Sequence, residues 1–163
     1  MKSTIAYILA AATLAGCASR TEEKVPASAA RVPNATSARP APSAPSSGAL
    51  TLSGYKRDVA LRIADINAAK VYAGRPQALL RSVVVVKYVV DANGRVLRSE
   101  ILRSNHDRVT ETAALHSLQS AAPLPRPASH LLRNGQLESV ETWLFNNDGR
   151  FQLRTIAEPQ MDS

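Results

Sequence analysis

Cysteine is nearly absent from this chain. Cys17 stands alone among 163 residues, which excludes an internal disulfide framework and leaves no thiolate cluster for a structural zinc. Glycine is scarce too, with seven in all, and none of them forms the glycine-rich loop before a helix that cradles phosphate. One tryptophan, four tyrosines and two phenylalanines argue against a haem scaffold. The apolar stretch Ile5 to Ala18 falls short of the ~20 residues that a bilayer-crossing helix needs, so a multi-span transporter is excluded. His106, His116 and His130 are not spaced as metal ligands, and Ser104 and Asp107 beside His106 read as capping chemistry between a strand and a helix. No catalytic group, metal or cofactor is expected, and the chain reads as a non-enzyme. The formal charge of +7 and pI near 10.1 invite a nucleic-acid reading. From Tyr55 onward, however, 15 Lys and Arg are well mixed with 11 Asp and Glu, so no basic stripe forms and no nucleic-acid partner is expected.

What is present divides the chain in three. Met1 to Gly16 reads as a secretory leader, with Lys2 as its charged start, Thr4 to Ala15 as its apolar centre and small residues at its close. The run Leu14-Ala15-Gly16-Cys17 resembles the lipobox of bacterial lipoproteins, in which cleavage before the cysteine frees a thiol that takes a diacylglycerol. The resemblance implies that residues 1–16 are removed and that Cys17 is the lipidated N-terminus, acylated by palmitate-type chains. Two or more such chains anchor a protein stably where one does not. Ala18 and Ser19 follow without an aspartate at the second mature position, which resembles the pattern sent on to the outer membrane. Residues 17–54 read as a disordered tether: from Ala18 to Gly54 there are nine alanines, seven serines and five prolines, with no apolar periodicity.

Residues 55–163 read as the folded part. Tyr55, Val59, Ile63 and Ile66 recur at helical spacing, with Ser53 as cap and Gly74-Arg75-Pro76 as stop, so the pattern predicts a helix from Tyr55 to about Val71. Lys56, Arg57 and Arg62 fall on its wet side. Arg81 to Asp91 is β-branched and apolar on both faces, as a central strand is. A two-residue turn at Asn93-Gly94 then leads into Val96 to Ser104, pairing Val90 with Leu97, Tyr88 with Ser99, Val86 with Ile101 and Lys87 with Glu100. Asn105 or Asp107 caps a second helix with Val109, Ala114, Leu115, Leu118, Ala121 and Ala122 on its apolar side, and Pro123 ends it. Strands from Glu138 to Asn146 and from Arg150 to Ile156 follow, joined at Asp148-Gly149. That turn pairs Leu144 with Leu153 and Thr142 with Thr155 on the core face, and Trp143 with Arg154 and Phe145 with Gln152 on the other.

Handedness of the crossover then predicts an α+β two-layer sandwich: an antiparallel or mixed sheet in the order 2-1-3-4 with both helices on one face. The Asp91-Ala92-Asn93-Gly94-Arg95-Val96 turn, Ser104-Asn105, the helix with Thr112-Ala113-Ala114-Leu115, and Ala121-Ala122-Pro123-Leu124-Pro125-Arg126-Pro127 together resemble the TonB/TolA C-terminal domain family, in a lipoprotein-anchored form. The resemblance covers Tyr55 to Ile156. It implies a periplasmic module that binds other proteins by adding a partner's strand to the edge of the third strand. Two features differ from that family: a cleaved, lipidated leader in place of a transmembrane helix, and a fourth strand over the edge that its members leave open.

These readings converge on an outer-membrane lipoprotein facing the periplasm. It contacts the membrane through its N-terminal lipid and docks an envelope protein partner. The alternative is an envelope enzyme or a small-molecule-binding accessory lipoprotein. The expected partner-binding patch is Trp143 and Phe145 on the face away from the helices, with Arg154 over the Trp143 ring. Should the rings prove to be core, the assignment moves to the free edge of the second strand, Val96 to Ser104. Cys17→Ser is expected to abolish lipidation, shifting the protein from the detergent phase to the aqueous phase on cloud-point partitioning.

Overall fold

The computed structural model describes residues 44–159, and all of them lie in the second of the two units into which the chain divides, Arg39–Ser163. The leader, Cys17 and the first part of the tether lie outside the described residues. The fold is α+β: helix α1 (Leu52–Ile66), strands β1 (Ser82–Asp91) and β2 (Val96–Arg103), helix α2 (Arg108–Ser120), and strands β3 (Gln136–Phe145) and β4 (Phe151–Leu153). The sheet runs β2-β1-β3-β4 with every neighbour antiparallel, in the order expected from the crossover. Both helices pack on one face, where Val84, Val86, Tyr88 and Val90 of β1 meet Leu137, Trp143 and Phe145 of β3. Among the described residues, neither α1 nor α2 packs on the other face.

Tyr55, Val59 and Ile63 lie four residues apart and are fully buried, with Ala60 letting the helix approach closely. The cap is Thr51 and not Ser53: the Thr51 hydroxyl accepts the Gly54 N–H at 3.1 Å. The next inward position after Ile63 is Asn67, so Ile66 turns out to solvent and is 43% exposed, contrary to its expected place in the core. Asn67 also ends the helix earlier than Gly74. Its side-chain amide donates to the carbonyls of Ile63 at 2.8 Å and Ser117 at 3.1 Å, tying the end of α1 to α2. In α2 the cap is Asp107, which accepts the N–H groups of Val109 and Thr110 and the Arg81 guanidinium. That guanidinium first, and the two N–H groups after it, hold the Asp107 carboxyl below the usual carboxylate range. Val109 lies outside the core, and Thr110 takes the inward place, donating to the Ser82 hydroxyl at 2.9 Å.

Both hairpins close on a three-residue turn rather than the two-residue turn expected. In the first, Asp91 N–H donates to the Arg95 carbonyl and Gly94 N–H to the Asp91 carbonyl. In the second, Asn146 N–H donates to Arg150 and Gly149 N–H to Asn146. Each turn holds a glycine at positive φ, +78° at Gly94 and +80° at Gly149. One extra turn residue shifts a register by one and turns every side chain to the opposite face. In β1–β2 a bulge undoes the shift: Val90 pairs with Val96 instead of Leu97, Leu97 is extruded and 47% exposed, and beyond it Tyr88↔Ser99, Lys87↔Glu100 and Val86↔Ile101 stand as expected. In β3–β4 nothing compensates. The pairs are Trp143↔Leu153, Leu144↔Gln152 and Phe145↔Phe151. The expected pairing is therefore wrong by one residue, and Trp143 and Phe145 point into the core.

Residues 44–50, expected as tether, pack on the Pro-rich connection after α2. Arg126 N–H donates to the Pro45 carbonyl, Ser47 N–H to the Arg126 carbonyl, and the Arg126 guanidinium to the Ser46 hydroxyl. The buried Tyr55 hydroxyl donates to the Pro125 carbonyl at 3.1 Å. Gly94 completes the clamp by accepting the Leu124 N–H at 2.8 Å. A Cβ on Gly94 would stand 1.9 Å from the Leu124 carbonyl oxygen, whereas one on Gly135 would meet nothing within 4 Å, although both residues have positive φ. Gly94→Ala is thus expected to cost roughly 2–5 kcal/mol and Gly135→Ala only about 1 kcal/mol, read as the difference between their thermal melting midpoints.

Candidate functional site

The corrected register relocates the expected patch. Trp143 is fully buried opposite Val84, and its indole N–H donates to the Ser117 hydroxyl of α2 at 2.9 Å. Phe145 is fully buried against Phe151, with ring centroids 5.7 Å apart. Arg154 is exposed and lies beyond β4 next to Thr142, not over Trp143. The guanidinium that does cover a ring is Arg150, 5.0 Å from the centre of Tyr72. The structure therefore brings Trp143 and Phe145 together as core and separates both from Arg154. Sequence alternation found the strand but not its phase, because the phase depends on which residues of β1 and β4 the strand pairs with.

The open edges of the sheet become the candidate surface. The Arg154 N–H donates to the Thr142 carbonyl at 2.9 Å, so the backbone groups of Thr142 face away from β1. By the two-residue period of a strand, those of Val140 and Glu138 face the same way. β4 covers only Trp143 to Phe145. The missing rung at Thr142 is filled by a side chain: the buried Glu141 carboxylate accepts the N–H of Thr142 at 2.7 Å and that of Thr155 at 3.4 Å. At the other end, Arg133 and Gln136 exchange backbone hydrogen bonds around Asn134-Gly135. Between these two stops the outward N–H and C=O groups of Glu138 and Val140 have no partner among the described residues. Sequence reading missed Glu141, Glu138 and Val140. A carboxylate at an inward strand position is a signal, but it shows only once the register is known.

The second open edge is β2, whose outer side pairs with no strand among the described residues. It is bulged twice, at Leu97 and Leu102, which are 47% and 52% exposed. Between them, Arg98, Glu100 and the side chains across from them lie on the face without helices. Lys87 pairs with Glu100, which holds the ammonium above its usual range and the carboxyl below its own. Arg98 reaches Glu138 at 3.8 Å. The outer edge of β4 is closed by the chain after α1, where Tyr72 N–H donates to the Phe151 carbonyl. A cleft of about 630 Å³ on the face without helices is lined by Leu80, Val83, Arg103, Leu144 and Arg154. No helix among the described residues is long and apolar enough to cross a membrane, and no group of side chains among them could hold a metal ion.

Trp143→Ala is expected to cost about 3–5 kcal/mol and to lower the melting midpoint by more than ~10 °C, whereas Arg154→Ala leaves the midpoint almost unchanged.

Over 71 residues the chain is 29% identical to the protein TonB of Pseudomonas putida, a match that covers 44% of this chain. It spans 29% of the length of that relative. No family model matches the chain, and no solved structure matches it.

Proposed function

We propose that this chain is a lipid-anchored, non-enzymatic protein-binding module of the bacterial envelope, held at the outer membrane through Cys17 and facing the periplasm. It captures an extended segment of an envelope protein partner on the open stretch of β3. The observation that carries this reading is the gap between two stops. β4 with Glu141 closes one end of the β3 edge, the Arg133–Gln136 turn closes the other, and Glu138 and Val140 are left with backbone groups that have no partner among the described residues. The similarity to a TonB protein supports an envelope location, and Leu14-Ala15-Gly16-Cys17 supports the anchor.

Such a gap sets the strength of the interaction. Two residues offer few backbone hydrogen bonds, each worth about 1 kcal/mol net, so most selectivity must come from side chains flanking the strand. A weak, readily exchanged partner follows. Proline at residue 140 removes an N–H that points away from β1, so the ladder to β1 is kept, as proline at sheet edges allows. In cells, a photo-crosslinking residue at position 138 is expected to capture the partner, and Val140→Pro is expected to abolish that adduct while circular dichroism shows an unchanged fold. An adduct that persists at full yield in Val140→Pro would remove β3 as the docking edge.

A further inference from the structure

We propose that the outer edge of β2 pairs with the β2 of a second copy of this chain, antiparallel about a two-fold axis through Ser99. The alternation of the ladders decides which backbone groups of β2 are free. The Arg81 N–H donates to the Phe145 carbonyl, so odd-numbered β3 residues address β1, and their partners, the even-numbered residues of β1, address β3. Lys87 and Val89 then address β2, where their partners are Glu100 and Arg98. Ser99 and Ile101 are left pointing outward, with no partner among the described residues.

A two-fold axis through Ser99 places Ser99 against its own copy as a hydrogen-bonded pair and Ile101 against Leu97. It sets Arg98 directly opposite Glu100 of the second copy, twice. These are the non-hydrogen-bonded positions, where Cα atoms stand ~4.5 Å apart and side chains are closest. A symmetric interface must be complementary to itself, and here opposite charges meet opposite charges by symmetry alone. The exposed Leu97 and Leu102 flank the charged centre. The two bulges confine regular pairing to the stretch between them, so the contact is short and reversible, and the two-fold closes it after one partner.

This surface is separate from the β3 gap, and the two are tested by separate variants. The readout is the full chain carrying Ser99→Cys, expressed in its own envelope and run on a non-reducing gel, with the wild-type chain controlling for Cys17. A disulfide-linked dimer is expected, because the Cα separation of ~5.5 Å at a hydrogen-bonded pair suits a disulfide. In that background Arg98→Glu or Glu100→Arg alone is expected to cut the linked fraction about tenfold, and the two together to restore it to within roughly threefold. Val140→Pro is expected to leave the dimer intact. Absence of a Ser99→Cys dimer overturns the proposal, as does a dimer that ignores the single charge reversals or one that is not rescued by the swap. Loss of the dimer in Val140→Pro with indifference to the charges would place self-association at β3, and would also overturn it.

Discussion

The register of the β3–β4 hairpin is the constraint on which the rest depends. Its turn holds three residues, closed by the Asn146 and Arg150 backbone bond, and no bulge follows to undo the extra one. The single-residue shift sets Leu153 and Phe151, in place of Arg154 and Gln152, opposite Trp143 and Phe145 on the helix-covered face that Val84 shares, and leaves Leu144 and Gln152 to the opposite face. A core built around one tryptophan follows, with the Trp143 indole anchored on Ser117 and the Ser117 hydroxyl on the Ala114 carbonyl. Strand phase, helix spacing and the polar anchors of α2 thus form one arrangement, and none of them can shift alone.

The same register decides where the sheet ends. Glu141 is inward because Trp143 is inward, and from there its carboxylate takes the N–H groups that a longer β4 would have used. A buried carboxylate must be given donors, and the nearest donors are edge amides. The strand therefore stops at Leu153, and the outer side of the middle of β3 has no strand partner among the described residues. On the far side of the sheet the solution is different: β2 keeps a long edge and blunts it with two bulges and alternating charge, a common defence against indiscriminate strand pairing. A charge pattern that deters random strands is also able to select a strand with the complementary order.

A second set of contacts fastens the chain before α1 to the domain. Ala44 to Ser47 run beside Pro125 to Pro127, Tyr55 holds the same segment from below, and Gly94 lets Leu124 approach the first turn. The Pro-rich connection is thus a junction of four parts of the chain. Proline supplies a rigid, extended backbone whose carbonyls stay free to accept, which suits a segment recognised mainly through its main chain.

The sequence by itself determined the two helices, the four strands and their order in the sheet, and narrowed the α2 cap to Asn105 or Asp107, because apolar period, turn residues and crossover handedness act locally and act alike in any context. The middle of the first hairpin was legible for the same reason. Which face Trp143 and Phe145 occupy was decided only by the tertiary structure. Asp91-Ala92-Asn93-Gly94-Arg95 and Asn146-Asn147-Asp148-Gly149-Arg150 form the same turn, yet one is followed by a bulge and the other is not. A bulge is set by what the extruded residue meets: Leu97 could be pushed to solvent on an edge strand, whereas the β4 residues that an equivalent bulge would extrude, Phe151, Gln152 and Leu153, are all buried. Asn67 in place of Ile66, Thr110 in place of Val109, and the docking of residues 44–50 share that origin. Each depends on partners distant in the chain, where spacing along the sequence carries no information.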